Sequence, residues 1–152
     1  MKVEYINPFV AASFDILKAI GNYNPVKGKL VLKNKPTPSY GVSVIVGVIG
    51  QVKGQIIYSM SEDTAKHIAS TMMMGMPVDT FDEMAKSAIS ELSNMITGNA
   101  STSLASQGLE IDISPPTLIT GNSVTITTGT VQTIVVPVET EAGVFEINIA
   151  LE

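Results

Sequence analysis

The sequence predicts an α+β domain in which helix and antiparallel strands follow one another twice along the chain. Two observations predict it. A segment from Thr80 to about Gln107 carries apolar residues at helical spacing, and runs rich in Val, Ile and Thr at 41–60 and 117–151 alternate as half-buried strands do. A helix followed by strands occurs in the first half and again in the second, which suggests an internal duplication with halves of about 1–77 and 78–152. With 152 residues, 45% of them hydrophobic and 15% charged, the chain can build one core, and a single domain over 1–152 is expected.

The first element is expected to be a helix from about Asn7 to Ile20. Asn7 suits the N-cap, Pro8 the first helical position and Gly21 the C-terminal stop. Phe9, Val10, Phe14, Leu17 and Ile20 would face inward, with Asp15 and Lys18 outward. Strands are then predicted over Lys29 to Lys33, Gly41 to Ile49 and Val52 to Met60, the last two joined by a short turn at Gly50-Gln51. Ser61 can cap a second helix that carries Glu62 and Asp63 in its first turn and is stopped by Gly75 and Pro77. In the second half, Thr80-Phe81-Asp82-Glu83 reads as a capping box opening the long helix. Further strands are predicted at Thr117 to Thr120, Ser123 to Thr127, Thr130 to Val138 and Val144 to Leu151, the last two joined around Thr140 to Gly143.

Composition removes several function classes. There is no Cys, so disulfides and thiolate metal sites are excluded. The net charge of -5, from 9 basic and 14 acidic residues, gives no footprint for nucleic acid. No run of eighteen apolar residues and no basic-then-apolar leader is present, so neither a membrane span nor a secretory signal is expected, and a cytoplasmic location is the default. His67 is the sole His, which rules out a His-based triad or a multi-His metal site within one chain and leaves a surface or partly packed helix residue. Met72, Met73, Met74 and Met76 are expected to fill the core at the end of the second helix rather than to form an adaptable contact surface. The stretch Gly47 to Gly54 lacks the Gly-Lys-Ser/Thr ending of a phosphate loop, and Thr125 to Thr133 reads as a Thr-rich hairpin.

The long helix carries the chemistry. At about 100° per residue, Ala85, Ala88, Ile89, Leu92, Met95, Ile96 and Ser103 share one sector, and Ser87, Glu91, Asn94, Gly98 and Ser101 share the opposite one. The first sector is expected to be core. The second is unusual for a solvated helix surface, where long Lys, Glu, Gln and Arg side chains are the good helix formers. Here Ser87, Ser90, Gly98 and Ser101 surround one carboxylate, Glu91, and one carboxamide, Asn94. Gly98 inside a helix costs roughly 1 kcal/mol relative to Ala, and close approach by another surface is a reason to carry it. The spacing of Glu91 and Asn94 alone also fits an ordinary exposed pair one turn apart.

The run Ser87-x-x-x-Glu91-x-x-Asn94, followed by Thr97-Gly98-Asn99-Ala100, resembles the motif of the CheC/CheX/FliY family of chemotaxis phosphatases. That motif is Asp or Ser, three residues, Glu, two residues, Asn and, later, a Pro, which Pro115 or Pro116 represents here at roughly the right spacing. The resemblance covers nearly the whole chain and is nearest to the CheX branch. It implies a CheC-like pseudo-twofold repeat of helix plus antiparallel strands, with long helices packed on a β-sheet. Placing Gly21-Asn22 against Gly98-Asn99 puts Phe14 where Glu91 sits and Leu17 where Asn94 sits, so the first helix lacks both groups. One site per subunit, as in CheX, is implied.

The same resemblance implies an enzyme that accelerates hydrolysis of the aspartyl phosphate of a phosphorylated CheY-like response regulator. Asn94 would orient the attacking water, and Glu91 would anchor a Lys of the receiver. Ser87, Ser90, Gly98 and Ser101 would be contacts to it. No metal ligand and no cofactor of the chain's own are expected, Mg²⁺ being supplied by the partner receiver. A homodimer paired through its sheets is implied, with the strand Thr130 to Val138 at an edge, and neither nucleic acid nor membrane as a partner. The alternative is a non-catalytic docking module for a receiver or a flagellar switch component.

Overall fold

The computed structural model describes residues 3–34, 37–38, 40–129 and 132–152. The first helix, α1 (Val3–Gly21), begins before the expected N-cap, so that Asn7 and Pro8 both lie inside it. Pro8 forfeits one helical hydrogen bond, but Ile6 is buried and Tyr5 packs on the core, and this apolar contact holds the extra turn. The helix stops at Asn22 rather than Gly21. Asn22 adopts the left-handed conformation (φ 56°) and donates its N–H to the Lys18 carbonyl at 3.1 Å. Gly21 is needed for a different reason, since a Cβ there would fall on the methyl of Thr71.

Five strands follow: β1 (Val26–Lys27), β2 (Val31–Lys33), β3 (Thr37–Pro38), β4 (Gly41–Gly50) and β5 (Gly54–Ser61). The strand expected from Lys29 is thus shortened to β2. Val52, expected to open β5, is instead a buried turn residue between β4 and β5. Ser61 caps α2 (Glu62–Met72) by accepting the Thr64 N–H. The long helix α3 (Glu83–Ser106) is capped by Asp82, not Thr80, because the Asp82 carboxylate accepts the Ala85 N–H at 3.0 Å.

The chain ends with β6 (Ile111–Ile113), β7 (Thr117–Gly121), β8 (Thr125–Ile126), β9 (Thr133–Thr140) and β10 (Gly143–Leu151). β6 was not anticipated. β8 pairs antiparallel with β3, not with β9, among the described residues, and the expected hairpin over 125–133 includes residues outside them. Thr130, the expected start of β9, lies outside the described residues.

Among the described residues the main sheet runs β1-β9-β10-β5-β4-β6, with β2 also on β9 and β7 also on β4. β9 is therefore interior, not an edge. Its residues Val135, Val136 and Val138 are all buried, which is the pattern of a strand covered on both faces. The pairing scheme is unchanged when elements of the first half are exchanged for those of the second. β1 and β2 run along β9 with a one-residue slip in register between them, and β6 and β7 run along β4 with the same slip.

The helices cover one face of this sheet. Val42, Val44, Val46 and Val48 alternate along β4 into a core with Phe9, Leu17, Ile68, Ile89 and Phe145. The opposite face buries polar groups: Ser43 and Ser59 pair through their hydroxyls at 3.0 Å, and Glu146 accepts the Tyr40 hydroxyl at 3.1 Å. Gln55 donates to the Thr127 carbonyl at 3.4 Å, so the residue that follows β8 lies against that face. Among the described residues no helix is long and apolar enough to cross a membrane.

Candidate functional site

The rotation of α3 about its axis decides which side chains are offered. Ile89, Leu92, Ile96, Ala100 and Leu104 are fully buried, as an amphipathic stripe requires. Ser93 and Thr97 are buried with them, and their hydroxyls donate to the carbonyls of Ile89 and Ser93 at 3.0 and 2.8 Å. Since the Thr97 hydroxyl is spent as a donor, it is Tyr58 of β5 that donates to it, at 2.7 Å. Burial pushes the Tyr58 phenol well above its ordinary pKa, so it remains a donor. This buried contact pins the helix to the sheet. Ser103, expected on the core face, is exposed, because Leu104 takes the buried position in the last turns.

Held in this way, α3 turns Ser87, Glu91 and Asn94 outward and leaves Ser90 half-buried. These four residues line a groove of about 520 Å³ together with Glu83 and Lys86. The facing wall is Pro116, Leu118 and Thr120, brought there because β7 pairs with β4 from Thr117 to Gly121. The groove therefore selects Pro116 over Pro115 as the proline beside the Glu-x-x-Asn pair. Gly98 and Ser101, further along α3, do not line it. A Cβ on Gly98 would meet no atom within 4 Å, so nothing in the chain's own packing calls for glycine there.

The groove is electrostatically simple. Lys86 pairs with Glu83 at 3.3 Å, while neither Glu91 nor Asn94 has a hydrogen-bond or ion-pair partner among the described residues. Glu83 and Glu91 are eight residues apart, about 12 Å along the helix axis, and Glu83 is engaged by Lys86. An unpaired carboxylate and an unpaired carboxamide stand one turn apart, about 4.5 Å along the axis, on an open wall. That arrangement can grip a cation through the carboxylate and orient a water through the carboxamide.

Other candidates lie elsewhere. His67 is exposed on α2, with its Nδ1 2.9 Å from the Tyr23 hydroxyl. Met72 and Met73 pack against the core as expected, whereas Met74 is 98% and Met76 57% exposed, a correction imposed by the left-handed turn at Met74 and Gly75.

The chain is matched by known proteins. The family model described as "Chemotaxis phosphatase CheX" matches residues 42–139, a span that contains Glu91, Asn94 and Pro116. The chain belongs to the CheX family. It is accordingly a phosphatase of the CheX type, in the CheC-like α+β fold. The CheY-P phosphatase CheX of Thermotoga maritima is 31% identical over 126 residues, covering 83% of this chain and 81% of that protein. The crystal structure of CheX from Desulfovibrio desulfuricans aligns with a TM-score of 0.88 and 27% identity, over 99% of this chain and 100% of that one. The CheX-CheY-BeF3-Mg²⁺ complex from Borrelia burgdorferi aligns with a TM-score of 0.84 and 33% identity, over 99% of each chain.

Sequence reasoning missed Glu83, Lys86, Leu118 and Thr120. For Lys86 a signal existed: it is one turn before Ser90, at the spacing that places side chains on one helix surface. For Leu118 and Thr120 none did, because their place depends on the long-range β4–β7 pairing.

Proposed function

We propose that this CheX-family chain accelerates hydrolysis of the aspartyl phosphate of a CheY-like receiver domain, with Asn94 orienting the water and Glu91 anchoring the receiver. The observation that carries the reading is the unpaired Glu91/Asn94 couple on the open face of α3, opposite Pro116. The docked receiver would lay its phosphoryl group against Asn94. The carboxamide oxygen can accept a hydrogen bond from water while its N–H₂ donates, so water can be held in line with the scissile P–O bond. A carboxylate at this position would be repelled by the phosphoryl dianion, and a neutral amide is not.

The chemistry balances without a base on this chain. The water oxygen bonds to phosphorus, the P–O bond to the aspartyl carboxylate breaks, and the second water proton ends on the phosphate. The leaving carboxylate is a weak base with a conjugate pKa of about 4, so no general acid is needed. Mg²⁺ carried by the receiver would neutralise phosphoryl charge. The engagement of Glu83 by Lys86 fits the ion's belonging to the partner rather than to this groove. Ser87 and Ser90 would line the contact, and Glu91 would pair with a receiver Lys that is desolvated on docking.

We also place a second copy of the chain on the β1/β2 edge. That edge exposes Val26 (57%), Val31 (45%) and Leu32 (56%) beside strand backbone paired on one side only, which supports edge-to-edge pairing. A dimer mass in sedimentation, lost in Leu32→Lys, would support it. The proposed site of action is the cytoplasm, where phosphorylated receivers of this kind act.

The test is phosphate release from a phosphorylated CheY-type receiver of the same organism, with this protein substoichiometric. Many phosphates released per protein support the reading. Binding without acceleration would leave the docking-module alternative instead.

A further inference from the structure

The groove has a polarity that the water-orienting mechanism does not use. Lys86 lines it, and Lys86 with Thr120 also lines a neighbouring hollow of about 500 Å³ whose rim carries Glu62 and Asp63 at the start of α2. Among the described residues lining the two hollows, Lys86 is the only cation. On α3, Lys86 and Glu91 are five residues apart, which places them about 140° apart around the axis and about 7.5 Å along it. Asn94 and Ser87 lie in the sector between them. Glu83 lies in that sector too, so the offered face has a carboxylate on one shoulder and, on the other, an ammonium held by its own glutamate.

In a chain of net charge -5, a uniformly basic partner would meet Lys86 as a repulsion next to the attractive Glu91. Lys86 is also unlike a freely solvated lysine. Its side chain is 35% exposed while its partner Glu83 is 92% exposed, so the stem is packed and the ammonium is held at the groove rather than swinging in water. An i,i+3 pair with an exposed glutamate contributes little to stability, which is little reason to station at the junction of two hollows the one cation among their described lining residues.

We infer that Lys86 is a second docking contact, taking a carboxylate of the receiver on the shoulder of α3 opposite Glu91, and so selects which receivers the groove accepts. The inference rests on the receiver reading above. It requires an accepted receiver to present a cation and an anion in the order that matches Glu91 and Lys86, and a receiver with these reversed is turned away by two like-charge contacts.

The experiment measures binding, so that it does not depend on turnover. The full chain carrying Asn94→Ala is titrated with a CheY-type receiver of the same organism loaded with beryllofluoride and Mg²⁺, at low and moderate salt. Adding Lys86→Glu is expected to weaken Kd by at least about tenfold. Lys86→Arg should keep Kd within about twofold, and Lys86→Gln should flatten its salt dependence. Kd unmoved by Lys86→Glu overturns the inference. So does a lowered melting temperature in Lys86→Gln with Kd and its salt dependence unchanged, the result of a role confined to the Glu83 pair. If the Asn94→Ala chain and the unsubstituted chain both fail to bind any receiver, the receiver reading itself falls, which is a separate result.

Discussion

α1 and α3 pack against each other on one face of the sheet, and they are alike on the side that is buried and different on the side that is not. Phe9, Ala12, Ser13 and Leu17 of α1 and Ile89, Leu92, Ser93 and Thr97 of α3, eighty residues on, are all buried. The local chemistry is similar too: each serine hydroxyl donates to a carbonyl of the preceding turn, Ser13 to Val10 at 2.8 Å and Ser93 to Ile89 at 3.0 Å. In this register Ala11 stands where Glu91 does and Phe14 where Asn94 does. Setting Gly21-Asn22 against Gly98-Asn99 instead places the fully buried Leu17 on the exposed Asn94, facing opposite ways, because the Gly-Asn pair ends α1 but sits in mid-helix in α3. α1 still lacks both groups, with Ala11 and Phe14 as their counterparts. On the proposal that the halves are copies of one unit, the buried stripe belongs to the fold and the acid-amide couple to one copy.

The largest effect expected is on rate. Asn94→Ala should lower phosphate release from the phosphorylated receiver by about 10²–10³-fold, as loss of one positioned hydrogen-bonding group does. Its free energy of unfolding should stay within about 0.5 kcal/mol, since Asn94 is exposed and unpartnered. Phe14→Ala, at the matching position of α1, should do the reverse. Phe14 is half-buried against the core, so denaturant titration should show a loss of about 2 kcal/mol while turnover of the folded protein persists. If both substitutions lowered rate alike, the two helix faces would not differ in the way proposed.

The parts legible in the sequence were those set by neighbours along the chain. Ser61 could be read as the cap of α2 and Glu91 with Asn94 as a couple on one face of α3, because caps and helical spacing are local. The parts that were not legible depend on distant partners. β6 is held by pairing with β4, and although β7 and β8 were expected as strands, their partners β4 and β3, and with them the far wall of the groove, were not. The reach of α1 back to Val3 was hidden by Pro8, a local signal overruled by the burial of Ile6. Lys86 falls between the two cases. Its helix face was readable, but the hollow it shares with α2 was not.

A smaller effect is expected at the acid. Glu91→Gln keeps the shape and removes the charge, so binding to the activated receiver should weaken about tenfold and become less sensitive to salt. The comparison predicts that Ala11→Glu, the matching change on α1, adds nothing to binding, because the residues that wall the groove stand beside α3 alone. An equal gain from Ala11→Glu would mean that general acidity, not the groove, attracts the receiver.

The smallest effect is the most discriminating about extent. Gly98 is helical and its missing Cβ faces open space, so Gly98→Ala should stabilise the protein by up to about 1 kcal/mol and raise the melting temperature by a few degrees. At the matching position α1 carries the exposed Lys18, the kind of residue a solvated helix surface ordinarily has. If Gly98→Ala stabilises and leaves receiver affinity alone, the contact surface ends with the groove at Asn94. Stabilisation accompanied by weaker binding means instead that the receiver comes within a methyl group of α3 a full turn past Asn94. The glycine is then kept at a cost to the helix because a side chain would hold the partner off.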